Sequence, residues 1–358
     1  MTFFFFSCFS KSPILIESTP ADLSFDHPHI QDAYMEWPKI FSKAQKSIDI
    51  AAFYISPSPK ADALDASWEE LHKATLRGVQ LRILLDKNFS QKYPNPLKEL
   101  QTWPNTTLRF IEFPKGVMHA KYFIVDNTIA FLGSQNFDYR AMEHIFELGY
   151  LCTEKTLVQS LIHVFSADWN TQAYITIPKS EKQHRLYVSP SRTVAEHAQE
   201  LPHLLHLINT TQKHLSIQLL SYNNKSRSGE HWPVLDNALI NAKKRGVHVE
   251  LMVSDWSTKG SKGEALQMLQ KNGINIHIIS VPEHPDGPIP YARTIHAKYM
   301  ISDQNNCWLG TSNWAKGYFL ESRNVGVISY DSPICSQLQE IYNDIKNTTM
   351  NTSLYIHK

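Results

Sequence analysis

Two segments of the sequence carry the same set of residues, and that set could cleave a phosphodiester bond. The first segment contains His119, Lys121, Asp126, Gly133 and Asn136, and the second contains His296, Lys298, Asp303, Gly310 and Asn313. In both copies the lysine, aspartate, glycine and asparagine follow the histidine at intervals of 2, 7, 14 and 17 residues. A single histidine–lysine pair arises often by chance, but two copies with four matching intervals predict a functional site.

These residue types suit a two-step displacement at phosphorus. One imidazole can attack the phosphorus atom and form a phosphohistidine, while the other protonates the leaving alcohol and then activates water. Two lysines and two asparagine amides can hold the non-bridging oxygens as their charge changes. The sequence therefore predicts one site built from two His, two Lys and two Asn. It predicts neither a metal ion nor a cofactor, since no carboxylate cluster accompanies the motifs.

The two histidines are expected to divide the work. Glu147 lies in the strand-like segment FELGY, and we expect its carboxylate to orient His119, which would then be the nucleophile. Glu321 is the corresponding candidate in the second half. His296 follows the proline-rich stretch 282–290, which predicts a loop at the mouth of the site. This placement favours His296 as the general acid.

Other residues near the motifs have weaker assignments. Asp126 and Asp303 lie at predicted turns, where an Asx-turn is the natural role and a chemical one the alternative. Ser134 and Ser312 could bind phosphate or cap a turn. Arg293 could meet a phosphate or form a salt bridge. Four aromatic residues could stack on bases or pack in the core: Tyr222, Trp256, Tyr291 and Trp314.

The segments around the motifs repeat with a period of about half the chain. In each half a predicted helix ends at a glycine, Gly78 or Gly246, and a buried strand follows. Each half has the pattern β-α-β-α-β-β, in which a final hairpin returns the asparagine towards the histidine and lysine. This pattern predicts an α/β fold of two similar α/β/α sandwich halves related by a pseudo-two-fold axis. The predicted boundaries are an apolar N-terminal segment 1–12, a first half 13–170, a linker 171–200 and a second half 201–358.

Composition sets limits on the rest of the chain. The 358 residues carry a formal net charge of only +1, so no bulk basic field draws the protein to nucleic acid or membrane. The four cysteines show no zinc-like spacing; buried thiols are the expectation, with a Cys152–Cys307 disulfide as the alternative.

The phenylalanines at 3–6 suggest a shortened signal, a lipid-contacting tip or a terminus without a role. No apolar run reaches a membrane span, so we expect a soluble chain, secreted or peripherally attached to a membrane.

The two motifs resemble the HxKxxxxD motifs of the phospholipase D superfamily, and the resemblance covers most of the chain. The segments IPYARTIHAKYM, WLGTSNWAKGYFLES and HWPVLDNAL resemble the branch of endolysosomal phospholipase D-like 5′ exonucleases and related poxviral proteins. The resemblance implies a phospholipase D fold and an active site of the two histidines, lysines and asparagines, with the two aspartates completing the motifs. The chain departs from the animal proteins in showing neither their membrane anchor nor their disulfide pattern.

Three functions remain open from the sequence. The first is hydrolysis of single-stranded DNA or RNA in an exonuclease-like manner. The second is a phospholipase D or transphosphatidylase reaction on phospholipid head groups, which the N-terminal phenylalanines would support. The third is a non-catalytic scaffold, which the two complete motifs disfavour. A homodimer is compatible with each of these functions but is not required to complete the site.

Overall fold

The computed structural model describes residues 12–23, 26–57 and 62–353, with the side chain of residue 353 excluded. The elements of the first half are β1 (Ile14–Ser18), β2 (Gln31–Asp32), α1 (Ala33–Ser42), β3 (Ser47–Ala52), β4 (Ile55–Ser56), α2 (Asp65–Leu76), β5 (Gln80–Asp86), α3 (Lys87–Ser90), α4 (Pro94–Leu100), β6 (Thr106–Ile111), β7 (Tyr122–Val125), β8 (Ile129–Gly133), β9 (Phe137–Asp138), α5 (Arg140–Glu143), β10 (Glu147–Cys152) and α6 (Lys155–Trp169).

The second half begins with a strand and repeats the order of the first. Its elements are β11 (His184–Ser189), α7 (Glu200–Thr210), β12 (His214–Leu219), α8 (Val234–Lys244), β13 (His248–Ser254), α9 (Gly260–Lys271), β14 (Asn275–Ile279), β15 (Tyr299–Ser302), β16 (Asn306–Gly310), α10 (Lys316–Leu320), β17 (Asn324–Ser329), α11 (Pro333–Asn347) and β18 (Asn351–Ser353). Short 3₁₀ helices cover Ser191–Thr193, Glu196–Ala198 and Asp255–Ser257.

Each half is built on a mixed eight-stranded sheet. The strand order is β2-β1-β10-β8-β7-β3-β5-β6 in the first sheet and β11-β17-β16-β15-β12-β13-β14-β18 in the second. Seven strands occupy equivalent places in the two sheets, with β2 and β18 added at opposite edges. In each sheet three parallel strands, which alternate with helices, lie beside antiparallel strands that form the hairpin of the motif. The prediction of two similar α/β halves is confirmed.

Local sequence explains how the parallel strands are connected. Helices α2 and α8 each end one residue before an arginine that is followed by a glycine, and these glycines have positive φ angles of 95° at Gly78 and 92° at Gly246. A glycine adopts this left-handed conformation without the steric cost of a Cβ atom, so it ends the helix and redirects the chain. The strands that follow, β5 and β13, are apolar over most of their length because they are covered on both faces.

The two halves share one core. A central cluster of buried side chains includes Leu161 and Phe165 of α6 together with Leu338 and Tyr342 of α11, and it draws residues from both sheets. Separate clusters lie under the outer helices of the first half and of the second half. Because the central cluster joins the halves, each half can present residues to a site between them.

The structure differs from two expectations about the chain's organisation. The predicted linker 171–200 contains β11, which pairs antiparallel with β17 along its whole length and so forms the edge of the second sheet. Cys307 forms a disulfide with Cys335, with a Cα–Cα distance of 5.3 Å. The expectation of free thiols is therefore wrong for these two cysteines, and so is the alternative pairing of Cys307 with Cys152. Cys152 is buried as a free thiol, as expected of a small core residue.

Two further expectations concern membranes. The predicted N-terminal segment 1–12 lies outside the described residues apart from Ser12, so the role of its phenylalanines stays a prediction. Within the described part of the chain, none of the helices combines the length and apolar character needed to cross a membrane.

Candidate active site

The two motif histidines lie on extended segments between the halves. His119 comes just before strand β7 and His296 just before β15, so neither lies within a strand of its own sheet. The backbone N–H of His119 donates to the carbonyl of Arg323, at 2.9 Å, and that of His296 to the carbonyl of Phe146, at 2.8 Å. Each histidine is thus held by the opposite half, and both line one cavity of about 330 Å³.

The side chains that orient the histidines also cross between the halves. Nδ1 of His296 lies 2.8 Å from Oε2 and 2.9 Å from Oε1 of Glu147, whereas Nδ1 of His119 lies 3.0 Å from Oδ1 of Asn324. The expectation that Glu147 orients His119 is therefore wrong. Glu321 makes no hydrogen bond to either histidine among the described residues and instead lines a neighbouring groove.

Asn324 was missed by the sequence reasoning, although a signal for it was present. It follows His296 by 28 residues, the same interval that separates Glu147 from His119. The hydroxyl of Thr311 donates to Asn324 Oδ1 at 3.0 Å and accepts from the next backbone N–H, that of Val325. The hydroxyl at the equivalent place in the first half is similar: Ser134 Oγ accepts from the N–H of Leu148 and lies beside Glu147.

The two motif lysines are buried beside one carboxylate. Lys121 and Lys298 are each 1% exposed, and each ammonium donates to the backbone carbonyl of its own motif histidine. Burial lowers the pKa of both, to about 7 for Lys298, and the nearby charge that opposes this shift is Glu147. Burial also raises the pKa of Glu147 to about 8. Two ammonium groups facing one carboxyl group leave a positive excess that an anionic phosphodiester would neutralise.

The motif asparagines retain polar atoms without protein partners. Within the described residues, Oδ1 of Asn136 and Oδ1 of Asn313 are buried and make no hydrogen bond. A buried amide oxygen is rarely left unpaired, so each of these oxygens is suited to accept a hydrogen bond from a donor group of a substrate or from an attacking water. Asn136 lines the cavity, and Asn313 contacts the hydroxyl of Tyr318, whose ring lies against that of His119.

The glycine of each motif is required by close packing. A Cβ atom added at Gly310 would lie 2.6 Å from Cζ2 of Trp308 and 3.0 Å from the Cα of Gly326 on the neighbouring strand. A Cβ at Gly133 would meet Gly149 Cα at 2.7 Å. These glycines let the strand that precedes the asparagine approach the strand that carries Glu147 or Asn324.

The motif aspartates have a structural role. The carboxylate of Asp126 accepts the backbone N–H groups of residues 45, 46 and 47, and that of Asp303 accepts those of residues 212, 213 and 214. Both aspartates have positive φ angles, 51° and 50°, in the hairpin turns. They tie the turn of the hairpin to the start of the adjacent strand, β3 or β12. Both oxygens of each carboxylate are thus engaged by backbone N–H groups, which supports the structural role over the chemical one.

Of the residues with weaker assignments, the structure places some in the cavity that contains the histidines and others away from it. Tyr291 is 78% exposed and Trp256 43% exposed, and both line the cavity that contains the histidines. Trp314 and Tyr222 are buried core residues, and Tyr222 donates to Asp236, so neither can stack on a base. Arg293 forms a two-point salt bridge with Asp22 at 2.5 and 2.9 Å rather than facing the site, and Ser312 donates to buried Glu200 at 2.6 Å.

The described residues include no group of three or more His, Cys, Asp or Glu side chains placed to hold a metal ion. The positive charge beside the histidines is that of Lys121 and Lys298.

Residues 39–169 and 204–346 match the family model described as cardiolipin synthase, PLD-like domain, so both halves are covered. The chain belongs to the phospholipase D superfamily. It is a phosphodiester hydrolase of that superfamily, as the two motifs predicted.

Three relatives match nearly all of the chain. Phospholipase D Z of Dictyostelium discoideum is 29% identical, over 94% of this chain and 89% of the relative. The virion nicking-joining enzyme of Vaccinia virus (strain Western Reserve) is 26% identical, over 96% and 89%. The 5′-3′ exonuclease PLD3 of Xenopus laevis is 28% identical, over 88% and 74%. The phosphatidylserine synthase of Haemophilus influenzae Rd KW20 shares the fold, with a TM-score of 0.64 at 14% identity over 90% of this chain and 85% of that one.

The buried lysine and carboxyl group predict a pH dependence with two limbs. Because the pKa of Lys298 is lowered to about 7, its ammonium is lost above that pH, and because the pKa of Glu147 is raised to about 8, its carboxylate is lost below that pH. The value of kcat/KM should therefore pass through a maximum between about pH 7 and 8, with the alkaline limb set by Lys298. A pH profile of kcat/KM measures this limb. In Lys298→Arg the guanidinium stays charged, so the limb should move to higher pH even if the maximal rate is lower. A wild-type profile that is flat up to pH 9 would contradict the assignment.

Proposed function

We propose that this chain hydrolyses single-stranded nucleic acid, one terminal nucleotide at a time, through a phosphohistidine intermediate and without a metal ion. The observation that carries the proposal is the aromatic lining of the cavity that contains His119 and His296. Its wall includes Phe53 stacked on Phe89, with ring centroids 4.1 Å apart, and Tyr54 stacked on Tyr93, at 4.9 Å. These rings are half-buried, and aromatic rings that line a phosphate site bind bases by stacking, whatever their sequence.

The size of this aromatic cavity favours a single nucleotide. Its volume of about 330 Å³ lies at the small end of ligand pockets, which run from about 300 to 1,000 Å³. One base and its sugar would fill it, whereas the acyl chains of a phospholipid would have to stay outside. The relatives named as an exonuclease and as a nicking-joining enzyme support a nucleic-acid substrate.

The rim of the cavity is held in place by a buried ion pair. Arg140 and Asp138 pair through both carboxylate oxygens, Tyr54 donates to Asp138 at 2.7 Å, and Arg140 Nη1 donates to the carbonyl of Pro290 at 3.2 Å. This network connects the stacked rings to the proline-rich loop whose end carries exposed Tyr291. The rings are therefore pre-positioned, which lowers the entropy lost when a base binds.

His296 is the proposed nucleophile and His119 the general acid. When Nε2 of His296 attacks phosphorus, the ring becomes positively charged, and the Glu147 carboxylate at Nδ1 stabilises that charge. The P–O bond to the leaving group breaks as His119 donates its proton to the departing oxygen. His119 has only the neutral amide of Asn324 at Nδ1, so its imidazolium gives up a proton more readily.

The second step reverses these roles. His119, now neutral, takes a proton from water while the water oxygen attacks phosphorus, and the P–N bond to His296 breaks. The product phosphate leaves, and both rings return to their starting states. Lys121, Lys298 and the side-chain N–H groups of the two asparagines hold the non-bridging oxygens through both steps.

A substrate screen in EDTA tests the proposed function. End-labelled single-stranded DNA and RNA, the matching duplex, and vesicles of phosphatidylcholine and phosphatidylglycerol are incubated separately with the protein. Single strands should be shortened stepwise, the duplex much more slowly because its bases are not available to the aromatic cavity, and the vesicles not at all. Head-group release from vesicles with intact oligonucleotides would show a phospholipase instead, and loss of all activity in EDTA, restored by magnesium, would show a metal-assisted reaction.

A further inference from the structure

A second cavity, of about 680 Å³, has in its wall Tyr318, whose ring contacts that of His119. We call it the basic groove and define it by the residues that matter to its chemistry: Lys115, Val117, Lys225, Arg227, Lys316 and Tyr318. Lys115 and Val117 belong to the first half and the others to the second. Arg227 Nη1 donates to the carbonyl of Lys115 at 2.9 Å, so a hydrogen bond between the halves forms part of the wall.

The basic groove borders the reaction centre. The ring of Tyr318 lies edge-on to the ring of His119, with centroids 4.9 Å apart, and Val117 precedes His119 by two residues. The segment is fixed there, because the N–H of Val117 donates to Ser322 Oγ at 3.2 Å. His119 therefore contacts the lining of the basic groove and also lines the aromatic cavity.

The charge of the basic groove is not balanced by its own walls. Within the described residues, neither Lys115 nor Arg227 forms an ion pair, and both side chains are exposed. The other two cations pair with acids that are themselves open to solvent: Lys225 with Glu264, which is 64% exposed, and Lys316 with Glu230, at 3.4 Å and 70% exposed. Such exposed ion pairs contribute little free energy, so both lysines can leave their acids to contact a bound anion.

The local charge of the basic groove differs from the net charge of the whole chain. Its formal net charge is +1, yet four cations and one acid, Glu321, line this groove. A local positive surface of this kind attracts a polyanion at short range, where salt screening over about 8–10 Å is incomplete.

We propose that the basic groove binds the backbone phosphates of the nucleic-acid strand beyond the scissile phosphate. The proposal rests on the proposed function and adds the path of the strand: one nucleotide occupies the aromatic cavity, and the rest of the strand lies along Lys115, Arg227 and Lys316. Since His119 is the acid that protonates the departing oxygen and borders the groove, the strand in the groove is the part that leaves. The nucleotide in the aromatic cavity stays on His296 until water releases it.

The double variant Lys115→Gln/Arg227→Gln tests the path. On a single-stranded oligonucleotide, kcat/KM should fall about tenfold at moderate salt. The slope of log(kcat/KM) against log salt should become shallower by about 1.4, since each phosphate contact with a single strand contributes about 0.7. On p-nitrophenyl thymidine monophosphate, which is too short to reach the groove, kcat/KM should match the wild type, which also shows that the variant is folded.

The matched control is Lys179→Gln/Lys271→Gln, which removes the same charge from exposed positions outside the groove. The proposed role of the basic groove would be overturned if kcat/KM on the oligonucleotide fell equally in the two double variants. It would also be overturned if the salt slope of Lys115→Gln/Arg227→Gln were unchanged. Either result would leave the proposed function intact. A wild-type protein that hydrolyses phospholipid but no oligonucleotide would overturn the proposed function, and the groove proposal with it.

Discussion

Replacing His296 with alanine is expected to abolish the covalent adduct and to lower kcat by on the order of 10⁴-fold or more. No other imidazole in the described site is paired with a carboxylate that could stabilise the phosphorylated ring, because Glu147 contacts His296 and not His119. Denaturation of the wild-type protein during turnover, without acid, followed by mass spectrometry of its peptides, should find the phosphoryl group on His296.

Replacing His119 with alanine should give a different defect. Natural leaving groups need protonation, so the first step should slow by about 10²–10⁴-fold. A p-nitrophenolate leaving group needs little protonation, so a substrate that carries it should restore most of the rate of the first step. The covalent adduct should then accumulate, because the variant lacks the base that activates water for its hydrolysis. The exposed His163→Ala serves as the control and should behave as wild type. An adduct found on His119 in the wild-type protein would reverse the two roles, and Glu147 would then not stabilise the phosphorylated ring.

Replacing either buried lysine with methionine should lower kcat by about 10²–10³-fold, the usual effect of removing one donor from a site that stabilises developing charge. Methionine keeps the unbranched shape and fills the space of the lysine side chain, so the loss reports charge and hydrogen bonding rather than a cavity. Lys121 and Lys298 each donate to a histidine carbonyl as well as facing the phosphate site, and both are 1% exposed. Steady-state kinetics on p-nitrophenyl thymidine monophosphate measures the effect.

The exposed Lys179→Met is the control for these two variants and should keep wild-type kinetics. Thermal unfolding of each variant should show no loss of stability, because a buried ammonium with a lowered pKa costs the fold energy that methionine does not. A lysine variant with a raised KM and unchanged kcat would show that the ammonium binds the ground state and transition state equally, contrary to its proposed role.

The sequence by itself determined the reaction class and most of the architecture. Hydrophobic periodicity and glycine caps depend on local conformation. The residues around Gly78 and Gly246 therefore predicted the order of helices and strands in each half and the similarity of the two halves. The duplicated motif was informative for a similar reason: equal intervals after His119 and His296 require equal local structures. The same intervals would also have identified Asn324, rather than Glu321, as the counterpart of Glu147.

Only the tertiary structure decided which residue faces which. Sequence spacing does not show that the histidine segments leave their own sheets and pair with the opposite half, and this crossing places Glu147 on His296 and Asn324 on His119. The sequence also did not show that Trp314 is buried and Tyr291 exposed, because the burial of a side chain depends on which distant parts of the chain pack over it. Long-range contacts between the halves thus set the orientation of both imidazoles, while local sequence supplied the groups that they orient.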